Sequence, residues 1–202
     1  MKIRLAALLA CMVLSAPLAA QQFDTISFGV DGGYPPFDVL APSGEITGFD
    51  IDIANALCTQ LKAKCVFVKQ PFESMIAALN AHKFDAIIAS LNITDERKKE
   101  VDFTDRYYRS AAQLVARKGS PLLPDAASLK GKTVGVQTGS THEAFAKANW
   151  ANHGVKIVGY ANQDNVYLDL LSGRIDAALQ DNIQAATGFI DTPRGQKFAF
   201  AG

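Results

Sequence analysis

Apolar positions along this chain fall into two alternating rhythms. Short runs rich in Val, Ile, Phe and Ala have the length and composition of buried strands: Thr25–Val30, Cys65–Lys69, Asp85–Ala89, Lys132–Val136, Val155–Tyr160 and Arg174–Gln180. Between them the apolar residues recur at helical spacing, which predicts helices from Phe49 to Lys62, Phe72 to Ala81, Thr141 to Trp150, Asn162 to Leu171, and onward from Asn182. In the first of these Ile53, Leu57 and Leu61 share one face, and Phe49 reads as core. Tyr107–Lys118 reads as a long extended piece, followed by the turn-rich stretch Gly119-Ser120-Pro121-Leu122-Leu123-Pro124. Strands alternating with helices predict βαβ units around mostly parallel sheets.

The pattern also repeats itself. Leu79-Asn80-Ala81-His82-Lys83-Phe84-Asp85-Ala86 and Leu170-Leu171-Ser172-Gly173-Arg174-Ile175-Asp176-Ala177 share Leu-x-x-x-basic-apolar-Asp-Ala. Each is a helix end, a turn and a strand start. Five residues beyond each Asp stand Ser90 and Asp181, polar groups at the carboxyl ends of matching strands. Ligands of open α/β sheets bind outside those ends. Two facing lobes would therefore put Ser90 and Arg97 on one wall of a cleft and Asp181 on the other.

The amino terminus breaks the rhythm. Met1-Lys2-Ile3-Arg4, an apolar run from Leu5 to Leu14 and the small residues Ala16-Pro17-Leu18-Ala19-Ala20 have the order of a cleavable secretory signal, with cleavage expected after Ala20. The apolar run is too short to span a membrane, and the stretch before Cys11 is too short for a lipid-attachment signal. An exported chain then retains Cys58 and Cys65, a pair expected to form a disulfide between a helix end and a strand start. No His or further Cys stands at ligand spacing, so neither a metal nor another cofactor is expected. The formal net charge is zero and no basic tract occurs, which argues against nucleic acid or a membrane surface as partner.

Candidate chemistry clusters at strand ends. Ser90-Leu91-Asn92-Ile93-Thr94-Asp95-Glu96-Arg97 joins small polar groups to a helical turn carrying a guanidinium, the parts of a carboxylate receptor. Asp31-Gly32-Gly33-Tyr34-Pro35-Pro36-Phe37 presents a ring on a constrained loop, and Phe72 supplies a second aromatic. Gln137-Thr138-Gly139-Ser140-Thr141-His142 opens a helix with hydroxyls and free amides, a second place for an anion. His142 and Glu143 are the only groups left over for acid–base chemistry, and a helix-capping His beside a solvated Glu is the simpler account of them.

Taken in order, Gly-Val-Asp-x-x-Tyr-x-Pro-Phe, Gly-Phe-Asp-Ile-Asp-Ile, Ser-Leu-Asn-Ile-Thr-Asp-Glu-Arg, Asp-Phe-Thr-Asp-x-Tyr-Tyr, Gly-x-x-Thr-Gly-Ser-Thr and Asp-Ala-Ala-Leu-Gln-Asp resemble the periplasmic solute-binding proteins of polar amino-acid ABC transporters, family 3, above all the lysine/arginine/ornithine and histidine binders. The resemblance implies a two-lobed α/β clamshell of type II, with mixed, mostly parallel sheets flanked by helices. Residues 1–20 would be the signal, 21–108 the first lobe and 109–202 the second. Relatives continue beyond Gly202, so the chain reads as a fragment or truncated product whose first lobe lacks its return segment.

Carried across by position, the resemblance assigns Arg97 to the ligand α-carboxylate, helped by the Asn92 and Thr141 amides. It assigns Asp181 and Ser90 to the α-ammonium, Tyr34 and Phe72 to the aliphatic stem, and Asp31 to a distal cation. Gln137, Ser140 and His142 complete the expected set. Ala89 and Asn92 stand where relatives have serines, Gln137 replaces an apolar residue and His142 replaces a Gln. The implied protein is a monomeric periplasmic binder, not an enzyme, that delivers a cationic amino acid to an inner-membrane permease. The competing readings are a glutamine or opine binder, a dehydratase or lyase on the same fold, and the sensor domain of a receptor.

Overall fold

A computed structural model describes residues 23–202. The expected signal, its cleavage site and Cys11 lie outside the described residues. In chain order, β1 (Thr25–Val30) leads into a small antiparallel set, β2 (Gly33–Tyr34), β3 (Asp38–Leu40) and β4 (Ile46–Thr47). Helix α1 (Phe49–Leu61), β5 (Lys64–Lys69), a 3₁₀ turn running into α2 (Met75–Asn80) and β6 (Ala86–Ile87) complete the first lobe, whose parallel sheet has the order β5-β1-β6.

An irregular segment crosses to β7 (Ala112–Arg117), followed by β8 (Thr133–Gln137), α3 (Thr141–Asn149), β9 (Lys156–Tyr160), α4 (Gln163–Ser172), β10 (Ala177–Asp181), α5 (Asn182–Ala185) and β11 (Phe198–Ala201). These strands form a sheet of order β11-β7-β10-β8-β9, in which β10-β8 and β8-β9 are parallel while β11-β7 and β7-β10 are antiparallel.

The repeated Asp pins both sheets in the same way. Asp85 Oδ2 accepts the Ser27 amide while the Asp85 amide donates to the Ser27 carbonyl. Asp176 Oδ2 accepts the Thr133 amide while the Asp176 amide donates to the Thr133 carbonyl. In each lobe one carboxylate closes a ring with the neighbouring strand and fixes its register.

Alternation along the central strands divides the second core. Leu114, Ala116, Ala177 and Leu179 pack on one face with Val134, Ala146 and Trp150, whereas Val115 and Ala178 point to the other with Tyr167, Phe189 and Phe198. The first lobe holds two smaller clusters, one around Phe28, Val30, Ile51, Ala54 and Cys58, the other around Met75, Ala78, Phe84 and Ala89.

Several expectations are corrected here. The inward face of α1 is Ile51, Ala54 and Cys58; Leu57 and Leu61 are half exposed, and Phe49 is 40% exposed, stacked on Tyr107. Apolar residues occupy more than one stripe of this helix, which hid the one that is buried. The strand expected over Asp85–Ala89 pairs only at Ala86–Ile87, and the extended piece from Tyr107 becomes a paired strand only from Ala112. The helix expected from Phe72 begins as a 3₁₀ turn, and α5 runs into a π turn over Ala186–Ile190. The strands β2, β3, β4 and β11 were not anticipated, because runs of two to four residues carry too little periodicity.

The Cys58 and Cys65 sulfurs are bonded, joining α1 to β5 across seven positions.

Candidate functional site

Between the lobes lies a narrow cleft lined by Asp31, Tyr34, Phe72, Ala89, Ser90 and Asn92 from the first lobe and Gln137, Ser140, Thr141, His142, Gln180 and Asp181 from the second. The walls are close enough to leave only about 20 Å³ of free volume. Hydrogen bonds cross it at four places. Tyr34 Oη donates to Asp181 Oδ2 at 2.5 Å; Gln137 Nε2 donates to Asp31 Oδ2 at 3.1 Å; Asn92 Nδ2 donates to Thr141 Oγ1 at 3.0 Å; and Arg97 Nη2 donates to the Gly139 carbonyl at 2.9 Å.

Local folding explains how these groups reach the cleft. Asp31 follows β1 directly. The α1 amides of Phe49 and Asp50 donate to the Pro36 and Phe37 carbonyls, holding the turn that carries Tyr34 against the helix start. Gly48 makes that approach possible: its φ is +129° and an added Cβ would lie 2.4 Å from the Phe37 oxygen. Beside Tyr34, the Phe37 ring stacks between Tyr34 and Tyr108.

Arg97 sits in a short 3₁₀ turn whose amide is received by Thr94 Oγ1. Its guanidinium lies 5.7 Å from the Phe72 ring centre and gives Nη1 to the Asn92 carbonyl, so it ties the end of the first wall to Gly139 on the second. It stands at the mouth and is not among the residues lining the narrow interior. Partial burial lowers its pKa. At Gly139 the lobes approach closely: a Cβ there would lie 2.9 Å from the Glu73 Cα.

Ser140 caps α3. Its Oγ accepts the Glu143 amide and donates to the Gln137 carbonyl, while Glu143 Oε2 reaches back to the Gly139 amide. This Ser-x-x-Glu arrangement varies the capping box, the Glu taking the amide of the residue before the cap. It corrects the reading of His142 as cap and Glu143 as solvated, because Glu143 is engaged by Gly139 and Lys147, whereas His142 is buried with Nε2 3.5 Å from Asp181 Oδ1.

The electrostatics differ between the two walls. Asp181 is the last residue of β10; burial raises its pKa, but His142, Tyr34 and Ser110 outweigh that, and it lies below the ordinary carboxylate range. Asp31 goes the other way, because burial exceeds the help of Gln137 and Lys69. Ser90 adopts a left-handed φ of 52° and gives both its amide and its hydroxyl to Asp50 Oδ2, at 2.7 and 2.9 Å. Its hydroxyl is thus turned to a buried carboxylate behind the wall, not to Asp181 across it.

The structure brings ten of the eleven expected ligand residues to one cleft and sets Arg97 at its edge. Sequence reading missed Gln180, whose Oε1 accepts the Asp181 amide and lies 3.0 Å from Tyr34 Oη, and Ser110, whose Oγ donates to Asp181. Gln180 could have been found as the neighbour of Asp181 at the strand end; Ser110 carried no local signal. Among the described residues no group of three His, Cys, Asp or Glu side chains is placed to hold a metal ion.

Comparison with known proteins agrees with this architecture. Residues 26–186 match the bacterial extracellular solute-binding proteins, family 3. The chain is 49% identical over 179 residues to the lysine/arginine/ornithine-binding periplasmic protein of Escherichia coli (strain K12), covering 89% of this chain and 69% of that protein. It is 46% identical over 177 residues to the histidine-binding periplasmic protein of Salmonella typhimurium (strain LT2), covering 88% and 68%. Among solved structures, an ancestral arginine-binding protein bound to arginine superposes with a TM-score of 0.85 at 36% identity, over 90% of this chain and 80% of that one.

Proposed function

This chain belongs to the bacterial extracellular solute-binding proteins, family 3, and from that premise we propose that it captures a cationic amino acid, arginine first, between its two lobes. It would do so in the periplasm and hand the ligand to an inner-membrane ABC permease. The relatives are binding proteins, and we infer the same of this chain.

The observation that carries the reading is the charge of the cleft. Its lining holds two carboxylates, Asp31 on one lobe and Asp181 on the other, and no Lys or Arg, while Arg97 waits at the mouth. A zwitterion matches one guanidinium and one carboxylate, and the second carboxylate then calls for a further positive charge. In this reading Asp181 receives the α-ammonium, Arg97 the α-carboxylate, Tyr34 and Phe72 flank the stem, and Asp31 meets the distal cation. Ser90 Oγ gives its proton to Asp50 and keeps its lone pairs to accept from the α-ammonium. Each bond that spans the cleft uses a group assigned to the ligand or its neighbour, so the lobes must part for entry and the ligand replaces those bonds on closure.

Calorimetry of the wild type and two variants tests the assignment. Asp31→Asn should weaken arginine by about 2 kcal/mol or more and leave glutamine unchanged, whereas Arg97→Ala should weaken both by about 2–5 kcal/mol. A wild type that prefers glutamine or an acidic amino acid would overturn the cationic reading.

A further inference from the structure

Behind the cleft, the loop that carries Asp31 and Tyr34 is organised by a residue that faces no ligand. Asp38, in β3 opposite Tyr34, has no exposed surface. Its Oδ1 accepts the Gly32 amide at 3.0 Å and the Tyr34 amide at 3.2 Å, bracketing the turn on both sides of Gly33. No protein donor reaches its Oδ2, which is fully buried. The charged and titratable groups facing it are Asp31 from the loop after β1, Asp50 from α1, and Tyr107 and Tyr108 from the crossing segment. Lys69, at the end of β5, acts on Asp31.

We propose that Asp38 is the positioning residue of this loop, and that its clamp on Gly32 and Tyr34 couples the cleft's affinity for a cationic side chain to one proton. The clamp is strongest when the acceptor is ionised, since amides bind a carboxylate more tightly than a neutral acid. Yet the ionised form is disfavoured by burial first, then by Asp31 and Asp50, which together push Asp38 up to about 7. Near neutral pH the carboxyl is therefore divided between a protonated form and an ionised one.

A cation placed against Asp31 cancels part of the repulsion that Asp38 feels, and so favours its ionised form. By reciprocity, an ionised Asp38 favours the cation. The sign follows directly. Binding a cationic ligand lowers the Asp38 pKa and releases a proton; affinity for that ligand rises as pH rises through about 7. A neutral side chain in the same place leaves Asp38 unchanged. This inference rests on the reading that the ligand's distal charge meets Asp31, and it assigns the pH response to a residue that touches no ligand.

Carboxyl-carbon NMR of the protein alone should show Asp38 titrating near pH 7, with the Gly32 and Tyr34 amide resonances moving at the same midpoint. Titration of Asp38 below pH 5, or amides indifferent to it, would overturn the clamp. Calorimetry in buffers of different ionisation enthalpy should then find about half a proton released per arginine bound at pH 6.5, and roughly tenfold tighter arginine binding at pH 8.5 than at pH 5, for a one-unit lowering of the Asp38 pKa. Glutamine should show neither. Asp38→Asn keeps an oxygen for both amides and should bind arginine without that proton release. Equal release in wild type and Asp38→Asn would place the proton elsewhere, on Asp31 or His142, and sink the proposal. Should arginine fail to bind at any pH, the cationic reading fails, while the Asp38 and amide titrations still decide the clamp.

Discussion

Asp85 in the first lobe and Asp176 in the second make the same ring with a neighbouring strand, yet the two sheets built on those rings are covered very differently. Among the described residues the second lobe gathers twenty buried core residues on the two faces of its sheet, against ten in the first. The second lobe stores apolar surface. Phe189 stacks on Tyr167 with ring centres 4.2 Å apart, and both are fully buried. The first lobe stores charge instead: Asp31, Asp38 and Asp50 are all buried, and all three are raised by burial. One local device thus supports two kinds of wall, a firm one held by packing and a responsive one held by carboxylates.

The contrast can be broken most directly in the cores. Phe189→Ala should cost the second lobe about 3–5 kcal/mol, read in urea by the fluorescence of the buried Trp150, whereas Phe28→Ala in the thinner first core should cost about 2–3 kcal/mol by far-ultraviolet dichroism. Equal losses would erase the difference.

Next comes the disulfide, which belongs to the first lobe alone. Replacing Cys58 and Cys65 by Ser should remove roughly 2–3 kcal/mol from that lobe, the loop-closure value for so short a ring, and leave the Trp150 transition in place. A coupled shift of both transitions would mean that the lobes unfold as one unit.

pH should separate the lobes with a smaller effect. The raised carboxyls favour the fold when protonated, so first-lobe stability is present at low pH and is lost as pH rises through about 7 for Asp38. From pH 8 to pH 6 the first lobe should gain about 1 kcal/mol while the Trp150 signal stays level. Asp181 is lowered, so its contribution is present at neutral pH and is lost only on acidification below the ordinary carboxylate range. A first lobe that weakens between pH 8 and pH 6 would reverse the assignment.

The smallest effect tests the shared device. Asp85→Ala and Asp176→Ala should each cost about 0.5–1 kcal/mol, since both rings are solvent-exposed and each loses hydrogen bonds to backbone. A large gap between them would show that the repeat is sequence deep only.

Much of this was legible before any coordinates. The long elements followed from apolar spacing, and the Asp85 and Asp176 echo pointed to equivalent strands because the same helix-end, turn and strand-start pattern surrounds each Asp. The cleft residues were readable as polar groups at strand ends. What failed had physical causes. In α1, apolar residues cover more than one stripe, so periodicity could not say whether Ile51 or Leu57 faces inward. The bond from Ser90 to Asp50 was not readable either, because spacing does not encode a left-handed backbone. Asp38 was overlooked since it is a lone acid after an aromatic, and its importance comes from Gly32 and Tyr34 folding over it.

Gly139 carries a consequence for time rather than affinity. Its bare Cα lets the second wall close until it touches the Glu73 backbone, and the Arg97 bond to its carbonyl forms at that stop. A methyl at this point would act as a doorstop, holding the lobes ajar by a fraction of an ångström. With a φ of +77° the position would also be strained by any side chain, whether the lobes are apart or together. Escape would be faster, since the Arg97 bond to the Gly139 carbonyl would no longer close fully over a departing ligand.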